Sequence, residues 1–220
     1  MYAFWPYKKD QTIKNVYVKC YEHGITSTGV VRYLGVHFDK YLNFENIISN
    51  IVSKVNGRLK FLYRNAKCLD PRSIKTLSTA LNQCYFDYSS SSWYSGLGSG
   101  LTTKLQVLQN KVVRFVLDLG PRTRINCDIL DSVGMLSVPD RACQLSINHV
   151  FNIYHGRAPE YLCENNNINQ GNTNCITPNT NLCSTNSFSY NAIRDWNSLP
   201  ISIKNVNNKE AFKNAVKELF

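Results

Sequence analysis

The fifteen Asp and Glu residues of this 220-residue chain never stand as Asp-Asp, Asp-x-Asp or Asp-x-Glu. Polymerases and many nucleases hold Mg²⁺ between two or more carboxylates, usually adjacent or alternating acids at a strand end. No stretch of this sequence encodes such a pair. Pro139-Asp140 matches the opening of a restriction-endonuclease-like motif, but no downstream acidic-x-Lys completes it, and a helix start is the better reading of that proline. For zinc, the closest cysteines are Cys175 with Cys183 and Cys163 with Cys175, and neither a Cys-x-x-Cys nor a His pair accompanies them. His23, His37, His149 and His155 stand in four unrelated contexts, without the sharp nucleophile turn of a hydrolase. Gly96-x-Gly98-x-Gly100 lacks the lysine of a phosphate loop and follows a serine run rather than a strand, so it reads as a connector. The residues expected to do catalysis or bind metal are therefore none.

What the chain does offer is positive charge in one place. Residues 40–124 hold thirteen Lys or Arg against four Asp or Glu, a balance of +9, whereas residues 1–39 contribute +2 and residues 125–220 contribute −1 to the total of +10. Local basicity on an otherwise neutral chain suits a polyanion, and phosphate backbones are the commonest one. A lysine-rich solvated surface is the plainer alternative. Six cations have helical spacing relative to apolar stripes: Lys60, Arg64 and Lys67 on one segment, and Lys104, Lys111 and Arg114 on another.

The segments that carry them are readable from periodicity. Ile47, Ile48, Ile51, Val52, Val55, Leu59 and Leu62 form one face of a helix over 44–67, with Asn43 as its N-cap. Asp70-Pro71 opens a second helix to about Tyr88. Serines 89–92 and the three glycines interrupt the chain. Leu101, Leu105, Leu108, Val112, Phe115 and Leu119 then mark a third helix, ended by Gly120-Pro121. Short connections between three helices favour a bundle. Upstream, residues 16–22 and 28–38 are rich in β-branched and aromatic residues and read as the two strands of a hairpin. Downstream, Asp128–Val133 is a short helix, Pro139 starts another that Gly156 stops, and Phe188–Trp196 and Lys209–Phe220 return to helical spacing. Between them, residues 164–187 contain nine asparagines and no periodicity, the composition of a loop. The expected fold class is mainly α, with an N-terminal hairpin, a three-helix bundle and a C-terminal helical region.

No run of about eighteen apolar residues crosses a bilayer, and the start MYAFWPYKKD lacks the apolar core of a signal peptide. A cytoplasmic or nuclear compartment without membrane contact is expected, with the eight cysteines mostly reduced and several in the core.

In order and spacing, RYLGVHFD (32–39), the long helix after it, YFDYSSSSWYSG (85–96), KLQVLQNKVVRFVLDL (104–119), AIRDWNSLP (192–200) and FKNAVKELF (212–220) resemble the C-terminal part of reverse transcriptases from non-LTR (LINE-type, jockey-like) retrotransposons. The resemblance covers nearly the whole chain. It implies that residues 1–40 are the terminal hairpin of a palm, with Tyr33, Leu34 and Gly35 near a primer grip. Residues 41–121 would be a thumb-like bundle, 122–162 a helical extension, 163–187 a variable loop and 188–220 a C-terminal clasp. It further implies that the family's catalytic aspartates lie before this hairpin. Mg²⁺ is then a cofactor of the full-length family enzyme and none is expected here. The implied partner is an RNA or DNA duplex of template and primer, gripped by its backbone through the six cations. Trp196 could stack on a base, but its neighbours Ile193, Leu199 and Ile201 favour core packing, with Pro200 turning the chain. The other class of function is a small helical protein-interaction module, or the non-functional product of a decayed element.

Overall fold

The computed structural model describes residues 18–20, 23–25, 29–39, 42–165, 175 and 187–220. The protein is mainly helical, with short antiparallel strands at its N-terminal end. Among the described residues the strands form two hairpins rather than one. Strand β1 (Val18–Cys20) pairs with β2 (His23–Ile25), and β3 (Val30–Tyr33) pairs with β4 (Val36–Asp39). The expected pairing of 16–22 with 28–38 is thereby corrected: each segment folds back on its immediate neighbour. Leu34 (φ 46°) and Gly35 (φ 84°) make a two-residue turn with both φ positive, the geometry that matches strand twist.

Helix α1 (Glu45–Asn65) continues into a 3₁₀ turn, Ala66–Cys68. Its N-terminus departs from expectation. Asn43 does not cap it; the chain enters through Phe44 in the left-handed region, and the Asp39 carboxylate accepts from the backbone N–H groups of Asn43 (3.1 Å) and Phe44 (2.8 Å). A carboxylate at the end of β4 thus supplies the donors' partner and ties the hairpin to the helix.

At the next helix, Asp70 caps α2 (Pro71–Ser78) by accepting from Ser73 N–H at 3.1 Å. A π turn, Thr79–Gln83, joins α2 to α3 (Cys84–Asp87), so the expected single helix carries a bulge. The serine run is not wholly irregular: after Ser89 in the left-handed region, α4 (Ser90–Trp93) forms, and the buried Trp93 indole donates to Tyr88 O at 3.0 Å. Helix α5 (Ser99–Val116) buries Leu105, Leu108, Val112 and Phe115 and stops before Gly120 because Asp118 turns to φ 50°.

Two contacts fix how α1 and α5 lie. The Phe44 ring approaches so near Gly96 that a Cβ there would come within 2.7 Å, and Tyr63 meets Phe115 edge-on with ring centroids 4.5 Å apart. Start meets start and end meets end, so the two helices run parallel, with α2–α3 returning between them. Their stripes, with Val36, Phe86 and Trp93, make one core.

The remaining helices are α6 (Cys127–Val133), α7 (Val138–Tyr154), α8 (Glu160–Asn165), α9 (Phe188–Asn197), α10 (Ile201–Lys204) and α11 (Lys209–Lys217). Helices α7 to α11 build a second core around Ile147, Phe151, Trp196 and Phe212, while Leu130 and Val133 of α6 pack with Val113 of α5 and Met135 in a smaller cluster. The asparagine-rich segment lies outside the described residues, apart from its two ends and Cys175. Trp196 is fully buried, with Tyr154 and Phe212 rings 5.6 and 5.8 Å away. Asn197 brackets Cys175, accepting from its N–H at 3.0 Å and donating to its carbonyl at 2.8 Å. Pro200 precedes α10 and redirects the chain toward α11.

Candidate nucleic-acid interface

Burial of the apolar stripe of α1 dictates what its other side presents. Lys54, Arg58, Lys60 and Arg64 are exposed, as is Lys67 in the following 3₁₀ turn. No acid lies between Glu45 and Asp70. On α5, Lys104 and Lys111 are exposed, and no acid lies between Asp87 and Asp118. The parallel packing brings the two sets together. Lys60 and Lys67 sit one turn before and one turn after Tyr63, while Lys111 and Lys104 sit one and three turns before Phe115. Because the two rings touch, Lys60, Lys67 and Lys111 border the seam near the ends of α1 and α5, and Lys104 lies about 16 Å nearer their starts on the same side of α5. Arg64 stands at the pole of α1 facing away from the core.

Arg114 departs from this set. It is half-buried, and its Nε donates to Thr123 O at 2.9 Å, so its guanidinium holds the turn after α5. It lies one turn after Lys111 on the wheel, so what sets it apart is its hydrogen bond to Thr123, not its helical position.

The Tyr33-Leu34-Gly35 turn lies at the other end of α1. Tyr33 and Leu34 are exposed, and the Tyr88 hydroxyl donates to Leu34 O at 2.5 Å. A Cβ on Gly35 would meet that tyrosine ring at 3.6 Å. A groove of about 560 Å³ runs beside the turn, between Tyr88, His149 and Phe188. Packing lowers the His149 pKa by desolvation, with the Phe188 ring edge-on at 6.2 Å. Roughly 25–30 Å of helix, at 1.5 Å per residue, separates this turn from the Lys60–Lys67 cluster. The hairpin and the cations are two surfaces, not one.

Periodicity alone did not single out Lys54, Arg58, Gly57, Phe61 or Tyr63. Phe61 and Tyr63 are 57% and 59% exposed. The available signal was their position off the Ile47–Leu62 stripe, inside a run of cations. Among the described residues, no group of three or more His, Cys, Asp or Glu side chains comes together in a way that could hold a metal ion, and no helix is long and apolar enough to cross a membrane. No protein-family model, curated protein or solved structure matches the chain.

Proposed function

We propose that this chain is a non-catalytic nucleic-acid grip, corresponding to the thumb and C-terminal region of a non-LTR retrotransposon reverse transcriptase. The observation that supports it most is the outer seam of α1 and α5, where Lys60, Lys67, Lys104 and Lys111 lie along α1, the turn after it and the parallel α5, with Glu45 in the first turn of α1 as the one acid of these elements. Cations spaced along a helical face, without base-reading groups around them, suit phosphates of a duplex backbone. The chain supplies no adjacent or alternating carboxylates for a two-metal site, so its role is to hold template and primer rather than to extend them.

Anisotropy with labelled DNA duplexes and RNA–DNA hybrids of unrelated sequence tests this. Similar affinity for all, falling steeply with salt, is expected. Absence of duplex binding at low salt would end the proposal, and template-dependent incorporation by homogeneous protein would end its non-catalytic part.

A second reading rests on the hairpin. Val30, Val31, Tyr33 and Leu34 are all exposed, an apolar strand and turn of the kind that another protein surface covers. On that reading the chain is a helical interaction module and its cations are a solvated face.

A further inference from the structure

Among the described residues, Phe61 belongs to no hydrophobic core. It lies off the α1 stripe, is more than half exposed, and among the described residues has no ring partner, whereas Tyr63 is braced against Phe115. Cations surround it on the helix surface: Arg58 and Arg64 are three residues before and after it, and Lys54 is seven before. Exposed Val107, between Lys104 and Lys111, has a comparable cationic setting but carries no ring.

Gly57 adds an independent observation. It lies in the middle of a 21-residue helix, where glycine costs about 1 kcal/mol relative to alanine. A Cβ at this position would meet nothing within 4 Å, so the chain's own packing does not require glycine. Gly57 is one turn before Phe61, the direction in which a helical aromatic side chain leans. Its missing side chain leaves the approach to the Phe61 ring open. A bare ring, a cleared approach and flanking cations are the three parts of a stacking platform for a base whose phosphates are neutralised alongside.

We infer that Phe61, with Gly57 beneath it and Arg58 and Arg64 beside it, stacks an unpaired base of single-stranded nucleic acid. This rests on the proposal that α1 binds nucleic acid, and adds that the side of α1 about 160° round from Tyr63, reached across Arg64, takes a single strand. Interior base pairs keep both faces inside the helix, so a duplex offers the platform only its two end pairs, and a long duplex binds chiefly through its backbone.

The test uses the full chain, a fluorescein-labelled oligothymidine of about sixteen nucleotides and a long blunt duplex. Phe61→Leu keeps an apolar side chain but removes the flat ring. It should weaken oligothymidine binding about 5- to 150-fold and leave duplex binding nearly unchanged, while Phe61→Trp retains it. Gly57→Leu should raise the melting temperature and still weaken oligothymidine binding, separating the platform from folding. If Phe61→Leu binds oligothymidine like wild type while the Lys60→Glu, Arg64→Glu, Lys67→Glu variant does not bind it, the stacking role is wrong and the basic face survives. If wild-type protein binds neither probe, both fall.

Discussion

Arg141 on α7 grips Asp87 at the end of α3 with two parallel contacts, Nε to Oδ1 at 3.1 Å and a terminal nitrogen to Oδ2 at 2.7 Å. Gln83 also donates to Asp87 Oδ1, at 2.8 Å, and Arg141 donates to Gln144 Oε1 at 2.7 Å. The pair is partly shielded from water, with 35% and 24% of the two side chains exposed. It therefore connects the helix return of the first core to the central helix of the second. Bidentate geometry and partial burial should make it worth more than an exposed pair, which contributes about 0–1 kcal/mol. A double-mutant cycle on Asp87→Ala and Arg141→Ala, followed by urea unfolding, should give a coupling of about 1–2 kcal/mol. A coupling below about 0.5 kcal/mol would show that this ion pair does not contribute to holding the two cores together.

Trp196 should be a stability residue. Its indole is fully buried among Tyr154 and Phe212 and has no route to a base. Trp196→Ala should destabilise the protein by about 3–5 kcal/mol, and Trp196→Phe by less, because the ring partly fills the space. Urea unfolding of the two variants checks this. A destabilisation under about 1 kcal/mol for the alanine variant would mean that the α9–α11 segment is not packed as described.

The thiols should divide sharply in reactivity. Burial, reinforced by the nearby Asp195 carboxylate, pushes the Cys143 thiol up to about 12, and burial pushes Cys175 up to about 11. Cys68, Cys84 and Cys127 are exposed. Since the thiolate is the nucleophile, mild iodoacetamide treatment at pH 8 should label these three well before Cys143 and Cys175. Peptide mass mapping reads the order; early labelling of Cys143 would contradict its buried setting against α9.

Histidines set a pH dependence whose sign can be worked out. Desolvation lowers the pKa of His149, and desolvation together with the Arg157 charge lowers that of His155, both below the ordinary 6.5. At pH values just under 6.5 the unfolded chain binds more protons than the folded one, so stability falls as pH falls through this window and is fully present above it. Unfolding midpoints in urea should drop between pH 7.5 and 5.5. In a His149→Gln, His155→Gln variant the drop should be smaller. An unchanged pH profile in that variant would remove these two rings as its cause.

The helices were legible because their cause is local. Ile47 to Leu62 and Leu105 to Phe115 repeat at helical spacing, and Asp70-Pro71 carries its cap in its own sequence. What was not legible depends on partners distant in sequence or on neighbours in space. The Asp39 carboxylate replaces Asn43 at the start of α1 because β4 ends beside it. The hairpin pairing depended on choosing between near and far partners, and the near ones won. Within the interface, the exposure of Lys60, Arg64, Lys67, Lys104 and Lys111 follows from the wheel. Arg114 differs because Thr123 lies in a turn that periodicity does not place. The parallel alignment of α1 and α5, which brings the two lysine sets to one seam, required the Tyr63–Phe115 contact.

The central claim is that the outer seam of α1 and α5 binds phosphates of a duplex, and the salt dependence of duplex affinity tests it most directly. Wild-type protein and the Lys60→Glu, Arg64→Glu, Lys67→Glu variant should be compared by filter binding across a salt series, with circular dichroism to confirm equal helicity. The three residues lie outside the core, so the fold should survive. The account predicts weaker binding of every duplex sequence by the variant, and a salt slope shallower by about 0.9 for each DNA phosphate that the variant no longer neutralises. Equal affinity and equal slope in two equally helical proteins would contradict it and leave the cations as a solvated surface.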